Sequence, residues 1–170
     1  NAIEKAASPG LEFAEIRFNP SGSAMILMGS KNQGQGHETI FRQIVAERFG
    51  IDPSEIQYID GDTDRVAFGL GTNGSRSTVI GGTALWQAAD KIIAKGKKVA
   101  AHFLEADAQD IEFSNGLFTV AGTDRGMSLT EAAKSAFMHA KLPPGLEGGL
   151  FETSTFSPTA ETYPNGAHAC

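Results

Sequence analysis

The sequence predicts an α+β fold, with a mixed sheet, hairpins and packed helices. Short stretches that alternate apolar and polar residues are bounded by turn residues, and longer segments carry apolar residues at helical spacing. The predicted order is strand, strand, helix, strand, helix, hairpin, helix, which lacks the regular alternation of a parallel sheet. The chain has 170 residues and 41% hydrophobic content, enough for one core, so we predict a single domain over residues 1–170.

The first half of the chain predicts a hairpin, a helix and a further strand. Residues 11–18 alternate apolar and polar side chains, and turn residues at 19–22 separate them from the apolar run 24–28. Apolar residues recur at helical spacing over 37–49, and the glycine that follows is a typical helix stop. A short strand is expected over 56–59. The long polar loop after it is of a length that is usually functional or disordered.

The second half predicts a long amphipathic helix and a second hairpin. Apolar residues form one stripe along 78–105, while the lysines of this segment lie largely off that stripe. Asn115-Gly116 is a strong signal for a tight turn between strands at 111–113 and 117–120.

The end of the chain predicts a short helix and an extended segment. The string Ser128-Leu129-Thr130-Glu131 is a capping box, which predicts a helix to about Ala140. Residues 147–170 are rich in glycine, threonine, serine and proline. We expect them to form an extended C-terminal segment with at most one short strand.

Composition and charge narrow the classes of function. The formal net charge of −6 argues against a nucleic-acid partner, because phosphate backbones attract basic surfaces. No apolar run approaches the length of a membrane span, and no secretory signal opens the sequence. The chain has one cysteine, so it cannot form an internal disulfide. Together these features predict a cytoplasmic protein.

A glycine-rich loop between the second predicted strand and the first predicted helix is the first candidate binding site. Glycines let the backbone approach a ligand, and the helix N-terminus offers N–H groups and a positive dipole end that suit a phosphate or a pterin carbonyl. Glutamine amides add groups that both donate and accept hydrogen bonds. The candidate cofactor-binding residues are Gln33, Gly34, Gln35, Gly36, His37, Glu38 and Thr39.

A second loop that is rich in glycine and hydroxyl groups, Gly69–Thr78, also precedes a helix. Its candidate cofactor-binding residues are Ser75, Arg76, Ser77 and Thr78. Ser77 or Thr78 can cap the helix, and Arg76 offers a planar cation suited to phosphate. Two such loops could together cradle a ligand that carries several phosphates.

Residue chemistry alone leaves other interpretations open. Each loop could be a tight turn at a helix start. A dinucleotide-binding fold is a further alternative. Its motif has three glycines, and the string here has only two of them, Gly34 and Gly36. Asp60, however, ends the next strand, where an acidic residue that binds the ribose would lie. A stand-alone nucleotide- or phosphate-binding module and a structural or assembly domain also remain. A P-loop is excluded because Gly-Lys-Ser/Thr is absent.

The sequence predicts no catalytic and no metal-ligating residue. The four histidines, His37, His102, His139 and His168, show no zinc-type spacing. The acidic segment 60–64 fails the calcium-loop test, since its sixth position is Arg65. From the residues alone, the chain is predicted to bind an anionic cofactor without catalysing a reaction.

Several strings of the chain resemble the molybdenum hydroxylase family, which includes the large subunits of carbon monoxide dehydrogenase, aldehyde oxidase and xanthine dehydrogenase. The resemblance spans most of the chain, and the carbon monoxide dehydrogenase-like branch is the most similar. The resembling strings are Gly34–Thr39 with Gln43–Ala46, Asp60–Asp64, Gly69–Thr78, Ala100–Ala106 and Tyr163–His168.

The resemblance implies a fragment of a large subunit that is one lobe of its molybdenum cofactor-binding domain. Gln33–Thr39 and Ser75–Thr78 would then bind molybdopterin, often present in bacteria as the cytosine dinucleotide, with its molybdenum. Iron–sulfur clusters and FAD on partner subunits or domains would carry electrons away. The implied reaction is oxidation of an aldehyde, an N-heterocycle or CO with water as the oxygen source.

The resemblance also implies that this chain needs the rest of the large subunit. The family's catalytic glutamate lies in a glycine-rich motif near the end of that subunit, and the present sequence contains no match to the motif. We therefore expect the chain alone to be inactive and to bind the cofactor weakly or not at all, since one lobe cannot preorganise a shared cleft.

Overall fold

Three sheets and three helices make up the described part of the molecule. The computed structural model describes residues 1–160, 162 and 164–169. No helix in these ranges is both long and apolar enough to cross a lipid bilayer. In chain order the elements are β1 (Ala2–Lys5), β2 (Glu12–Phe18), β3 (Ala24–Met28), α1 (His37–Phe49), β4 (Ile56–Asp60), a π turn (Ser77–Gly81), α2 (Gly82–Phe103), β5 (Ile111–Ser114), β6 (Leu117–Val120), β7 (Gly126–Ser128), α3 (Leu129–Ala136), β8 (Leu150–Phe156) and β9 (Pro164–Ala167), with 3₁₀ turns at Pro53–Glu55, Ala108–Asp110 and His139–Lys141.

The central sheet has four strands in the order β4-β3-β2-β8. β2 is antiparallel to both β3 and β8, whereas β3 and β4 are parallel and are joined through α1. The carboxyl ends of β3 and β4 therefore lie at one edge of the sheet, where Met28 is paired with Asp60. The loops that follow these two strands consequently start side by side.

The hydrophobic core lies between this sheet and the helices α1 and α2. Phe18, Phe41, Phe49 and Leu85 are almost fully buried there, and the rings of Phe18 and Phe49 pack edge to face at 5.2 Å. Full burial of such a side chain contributes about 1.5–3 kcal/mol. The two helices and the sheet thus give a rigid base to the loops at the sheet edge.

A smaller sheet, in the order β5-β6-β7, packs against the far end of α2. Phe118 of β6 lies directly against Gly96, where any Cβ atom would overlap the phenyl ring. Glycine is unfavourable inside a helix, so this close packing explains its presence at position 96.

The α+β class with a mixed sheet, predicted from the sequence, is confirmed. α1 has the predicted bounds 37–49, and Gly50 ends it in the left-handed conformation with φ of 69°. The second hairpin turns at Asn115 and Gly116, both with positive φ, as its sequence predicts. The capping box between Ser128 and Glu131 is present in full.

Three expectations are wrong. The segment after residue 147 contains two strands, because β8 adds to the edge of β2 and β9 pairs with β1. α3 ends at Ala136, four residues before the predicted end, and a separate 3₁₀ turn follows at His139–Lys141. The long helix starts with a π turn at Ser77–Gly81, so regular α-helix begins only at Gly82. That residues 1–170 form a single domain remains a prediction.

Candidate cofactor-binding site

The two loops predicted to bind a cofactor meet in one concavity of about 460 Å³. Its lining is polar and comes from the loop before α1 and from the loop before the π turn. The lining residues are Gln33, Gln35, His37, Thr72, Asn73, Gly74, Ser75, Ser77 and Thr78. The structure thus brings together six of the eleven predicted site residues.

The first loop is shaped by glycines in a conformation that other residues rarely adopt. Gly34 and Gly36 have φ of 100° and 82°, and a Cβ atom at either position would meet nothing within 4 Å. Within the loop, the Gly34 N–H donates to Asn32 Oδ1 (3.2 Å) and the Gln33 N–H donates to Gln35 Oε1. These glycines allow the backbone to turn, and the space beside the turn is open.

The start of α1 carries no side-chain cap. Gly36 occupies the N-cap position, and within the described part of the chain no side chain caps the first turn with a hydrogen bond. The first N–H groups of a helix have no partner inside the helix and carry its positive dipole end. A ligand at this end of the concavity could therefore receive hydrogen bonds from the backbone of α1.

Asp60 holds the first loop in place through hydrogen bonds. Its Oδ2 accepts hydrogen bonds from the Asn32 N–H and from the Tyr58 hydroxyl (2.8 Å), while Lys31 Nζ lies 3.2 Å from Oδ1. Burial and the nearby Asp60 carboxylate raise the pKa of Tyr58, so its hydroxyl stays protonated. Asp60 is therefore engaged within the protein, which argues against the ribose-binding role considered for it in a dinucleotide fold.

The second loop is tied both to the first loop and to the N-terminal segment. The Thr72 hydroxyl donates to the Lys31 carbonyl, and the Ser77 hydroxyl donates to Thr72 Oγ1 at 3.3 Å. On the other side, the N–H groups of Ala7 and Ser8 donate to the carbonyls of Ser75 (3.0 Å) and Gly74 (2.9 Å). The loop is thus held from two sides, and neither of these two ties was predicted from the sequence.

The π turn replaces the capped helix start expected here. No side chain caps this turn, and the Gly82 N–H donates across it to the carbonyl of Ser77. The Ser77 hydroxyl is consequently directed to Thr72 and not to the helix N-terminus. Single π turns in helices are frequent at functional sites.

His37 is the one titratable residue of the concavity lining. It is only 4% exposed, and among the described residues its Nδ1 atom has no hydrogen-bond partner. Burial lowers the pKa of His37 below its ordinary value, an effect that the Asp60 carboxylate partly opposes. At neutral pH the imidazole is therefore uncharged and can both donate and accept a hydrogen bond.

Arg76 does not present its guanidinium to the concavity. The side chain is 2% exposed, its Nη2 donates to the Leu11 carbonyl at 2.9 Å, and it lies 3.8 Å from a Glu12 carboxylate oxygen. A buried cation requires a compensating anion, and Glu12 supplies it. The guanidinium of Arg76, which was predicted to bind phosphate, therefore makes its contacts inside the protein.

The remaining predicted residues flank the concavity. Glu38 and Thr39 are exposed on α1, and Glu38 pairs with Arg42 at 2.9 Å. Gly34 and Gly36 shape the loop without lining the cavity. Thr72, Asn73 and Gly74 do line it, although they were not among the predicted residues. Like the predicted residues of the same loop, these three carry hydroxyl or amide groups or are glycine, and this similarity could have indicated them.

A second concavity, of about 620 Å³, lies between α1 and α2 and differs in chemistry. It is lined mainly by apolar atoms, including those of Ile44, Ile51 and Trp86. The polar concavity is the better candidate for a cofactor that carries many acceptors, because buried acceptors need hydrogen-bond donors.

The fold and the site together define a class: an α+β lobe that presents two polar, glycine-rich loops to one large polar ligand. Residues 2–170 match the family model described as the molybdopterin cofactor-binding domain. The chain belongs to this family, whose members bind molybdopterin in molybdenum-dependent hydroxylases.

Individual relatives agree with this assignment. The chain is 43% identical over 158 residues to the carbon monoxide dehydrogenase large chain of Afipia carboxidovorans, a match that covers 92% of this chain and 19% of the relative. It is 34% identical over 164 residues to the 6-hydroxypseudooxynicotine dehydrogenase complex subunit gamma of Paenarthrobacter nicotinovorans, covering 96% and 21%. The chain thus spans about a fifth of the length of these relatives.

Solved structures show the same fold. The structure of reconstituted carbon monoxide dehydrogenase from Oligotropha carboxidovorans matches with a TM-score of 0.88 at 38% identity. This match covers 95% of the present chain and 21% of the other one. The sequence-based assignment to a molybdenum hydroxylase large subunit is therefore confirmed.

Proposed function

We propose that this chain forms one side of the molybdopterin site of a molybdenum-dependent oxidoreductase, and that residues outside these 170 form the other side. The observation that carries the proposal is the shared polar concavity between the two loops. The concavity is open to solvent, which suits a cofactor enclosed by two lobes. Catalysis would then require the further lobe as well.

The residues present fit a pterin with phosphate groups. The Nδ1 atom of His37 is buried without a partner among the described residues, and the first turn of α1 has no side-chain cap. Gln33 and Gln35 add amides that match the alternating donors and acceptors of a pterin ring. The Thr78 hydroxyl can donate to a phosphate oxygen. The hydroxyls of Ser75 and Ser77 donate to Glu4 (2.8 Å) and Thr72 (3.3 Å), and their oxygens can accept from pterin N–H groups. We therefore assign these six lining residues to cofactor binding.

When bound, the molybdenum cofactor would supply the redox chemistry of hydroxylation with water as the oxygen source. The chain's own part is to bind and orient the cofactor. By similarity to the relatives, we propose that the whole protein oxidises CO, an aldehyde or an N-heterocycle.

The proposal extends to the form of the cofactor and to the partners. We propose the cytosine dinucleotide form of molybdopterin, because two loops that line one polar concavity with hydroxyl and amide groups suit a ligand with more than one phosphate. Electrons would leave through iron–sulfur clusters and FAD on partner subunits or domains. A single cysteine in 170 residues and a charge of −6 accord with a cytoplasmic location.

Cofactor analysis of the natural full-length protein tests the proposal. We expect about one molybdenum per large subunit by mass spectrometry, a fluorescent pterin after oxidation, and CMP after acid hydrolysis. Gln35→Ala and Ser77→Ala should each lower the molybdenum content several-fold, because each removes a lining group and a well-made hydrogen bond contributes about 0.5–1.5 kcal/mol.

Two matched variants serve as controls. Gln109→Ala removes an exposed amide far along the chain, and Ser135→Ala removes a buried hydroxyl in α3; both should retain the metal. A full-length protein that contains neither molybdenum nor pterin, but binds a free nucleotide or pyrophosphate through the same loops, would replace the proposal with a stand-alone phosphate-binding module.

A further inference from the structure

A buried carboxylate lies beneath the two cofactor loops. Glu12 is the first residue of β2 and is 0% exposed. It is on the same face of the strand as Ala14 and Ile16, because side chains alternate along a strand. Burying a carboxylate costs free energy unless hydrogen bonds and an opposite charge compensate it. Its partners therefore show what the carboxylate is used for.

Both loops contribute partners to this carboxylate. Glu12 Oε1 accepts from the backbone N–H groups of Phe13 (3.2 Å) and Leu70 (3.3 Å). Oε2 accepts from the Ser30 hydroxyl at 3.4 Å. Ser30 lies at the start of the first loop and Leu70 in the second loop. One side chain is thus hydrogen-bonded to both loops at once.

Arg76 supplies the opposite charge. Its Nη2 atom lies 3.8 Å from Glu12 Oε2, and both side chains are buried. Burial raises the pKa of Glu12, and the Arg76 charge and the hydrogen bonds oppose this shift. Arg76 immediately precedes Ser77 and Thr78, two residues of the concavity lining. The ion pair therefore fixes the position at which the second loop enters the π turn.

Two glycines allow the loops to close over the carboxylate. A Cβ atom at Gly29 would overlap Glu12 Oε1, and a Cβ atom at Gly69 would overlap the backbone of Gly29. The two loops are therefore in backbone contact directly above Glu12. This close approach accounts for glycine at both positions without any reference to a ligand.

We propose that Glu12 is a positioning residue that holds the two cofactor loops in a fixed relation to each other. Glu12 is not among the residues that line the concavity. Its effect on cofactor retention rests on the function proposed above. Loops that are already ordered lose less entropy when a ligand binds, so the buried carboxylate favours retention through preorganisation.

Glu15 provides a contrast on the same strand. It is also largely buried, but its carboxylate pairs with Arg17, a neighbour on β2, and not with either loop. Removing the charge of Glu15 therefore disturbs a local pair of the strand. Removing the charge of Glu12 disturbs both loops and leaves Arg76 without its anion.

Hydrogen–deuterium exchange on the full-length protein, prepared without molybdenum, tests the proposal. In Glu12→Gln we expect amide exchange to rise about tenfold in segments 29–36 and 69–76, because hydrogen bonds to a buried charge are lost. Exchange in α1 and α2 should stay as in the wild type. In Glu15→Gln both loop segments should exchange at the wild-type rate.

A milder variant keeps the test informative if Glu12→Gln does not fold. Ser30→Ala removes one hydrogen bond to Glu12 and should raise exchange in the same two segments by about threefold. Unchanged exchange in Ser30→Ala, equal effects of Glu12→Gln and Glu15→Gln, or a uniform rise over the whole chain would each overturn the positioning role.

Because the protein is cofactor-free, these outcomes do not depend on whether the proposed function is correct. Molybdenum content of the wild type judges that question separately.

Discussion

Among single residues, His37 combines deep burial with a ring nitrogen that has no hydrogen-bond partner in the described ranges. Few buried polar atoms in proteins lack a partner, and those that do often mark a site for a ligand or water. The sequence showed a histidine after Gly36, but it could not show that the ring turns inward against Phe41, at 5.4 Å between ring centres. Burial of this kind depends on packing and is not encoded in the local string.

Protonation of His37 should destabilise the fold. Its pKa is lowered from the ordinary value of 6.5, so the unfolded chain binds this proton more readily than the folded one. The stability contribution of neutral His37 is therefore present above pH 6.5 and is lost as the pH falls below that value. In urea unfolding experiments, the free energy of unfolding should fall less between pH 7.5 and about 5.5 for His37→Gln than for the wild type. The difference should be up to about 1.4 kcal/mol for each unit by which folding lowers the pKa of His37.

Gln109→Ala provides the control for this pH experiment. Its exposed amide is not ionisable, so this variant should keep the pH dependence of the wild type. An identical pH dependence in His37→Gln and the wild type would show that the imidazole is accessible to water.

Asp60→Asn should loosen the first loop. The substitution keeps the shape of the side chain but removes the charge that accepts from the Asn32 N–H and pairs with Lys31. We expect a loss of about 1–3 kcal/mol in the free energy of unfolding and reduced molybdenum content in the full-length protein. Thermal unfolding and metal analysis measure the two effects. Asp124→Asn, at an exposed position, should change neither.

On the scale of elements, the start of α1 shows how much the local sequence encodes. The bounds of the helix and the glycine turn before it follow from apolar spacing and glycine placement, and both were predicted. The π turn before α2 was not, because the Ser77 hydroxyl that could cap a helix instead bonds to Thr72. Local chemistry offered two partners, and the hydroxyl of Thr72 in the same loop is the one that Ser77 contacts.

Gly36→Ala should separate the role of the loop in binding from its role in stability. Alanine at a φ of 82° is strained by about 1 kcal/mol, but its Cβ atom meets no protein atom within 4 Å. Gly122→Ala has the same properties, with φ of 74° and open space, in the turn after β6. Both variants should lose similar stability in thermal unfolding.

The cofactor content of the full-length protein should differ between these two variants. We expect Gly36→Ala to lower the molybdenum content, because its methyl group occupies space beside the concavity, while Gly122→Ala should keep it. Equal molybdenum content in the two would mean that the first loop does not approach the ligand.

Considered as a whole, the molecule supports its site through contacts between distant parts of the chain. The fold class and most helices and strands followed from patterns of a few residues. The pairing of β1 with β9 and of β8 with β2 did not, because strands at opposite ends of a sequence carry no local signal of their partners. The buried Glu12–Arg76 pair was not predicted for the same reason, since its two members lie 64 positions apart, at 12 and 76.

Removal of residues 1–8 should weaken the site without unfolding the core. This segment contains β1 and the Ala7 and Ser8 N–H groups that hold Gly74 and Ser75, but it contributes little to the main core. We expect raised hydrogen exchange at 72–76 and unchanged exchange in α2. Removal of residue 1 alone should have no effect. Loss of protection in α2 in the longer deletion would show that the segment stabilises the whole fold.

The inward turn of Arg76 leaves neutral side chains around the concavity. Among its lining residues within the described ranges there is no lysine, arginine, aspartate or glutamate. Contacts made by dipoles and neutral donors are hardly screened by salt, whereas salt weakens interactions between exposed charges and largely screens them beyond a Debye length of about 10 Å at 0.1 M. The loss of molybdenum caused by Gln35→Ala should therefore be the same when the full-length protein is dialysed at low and at high salt.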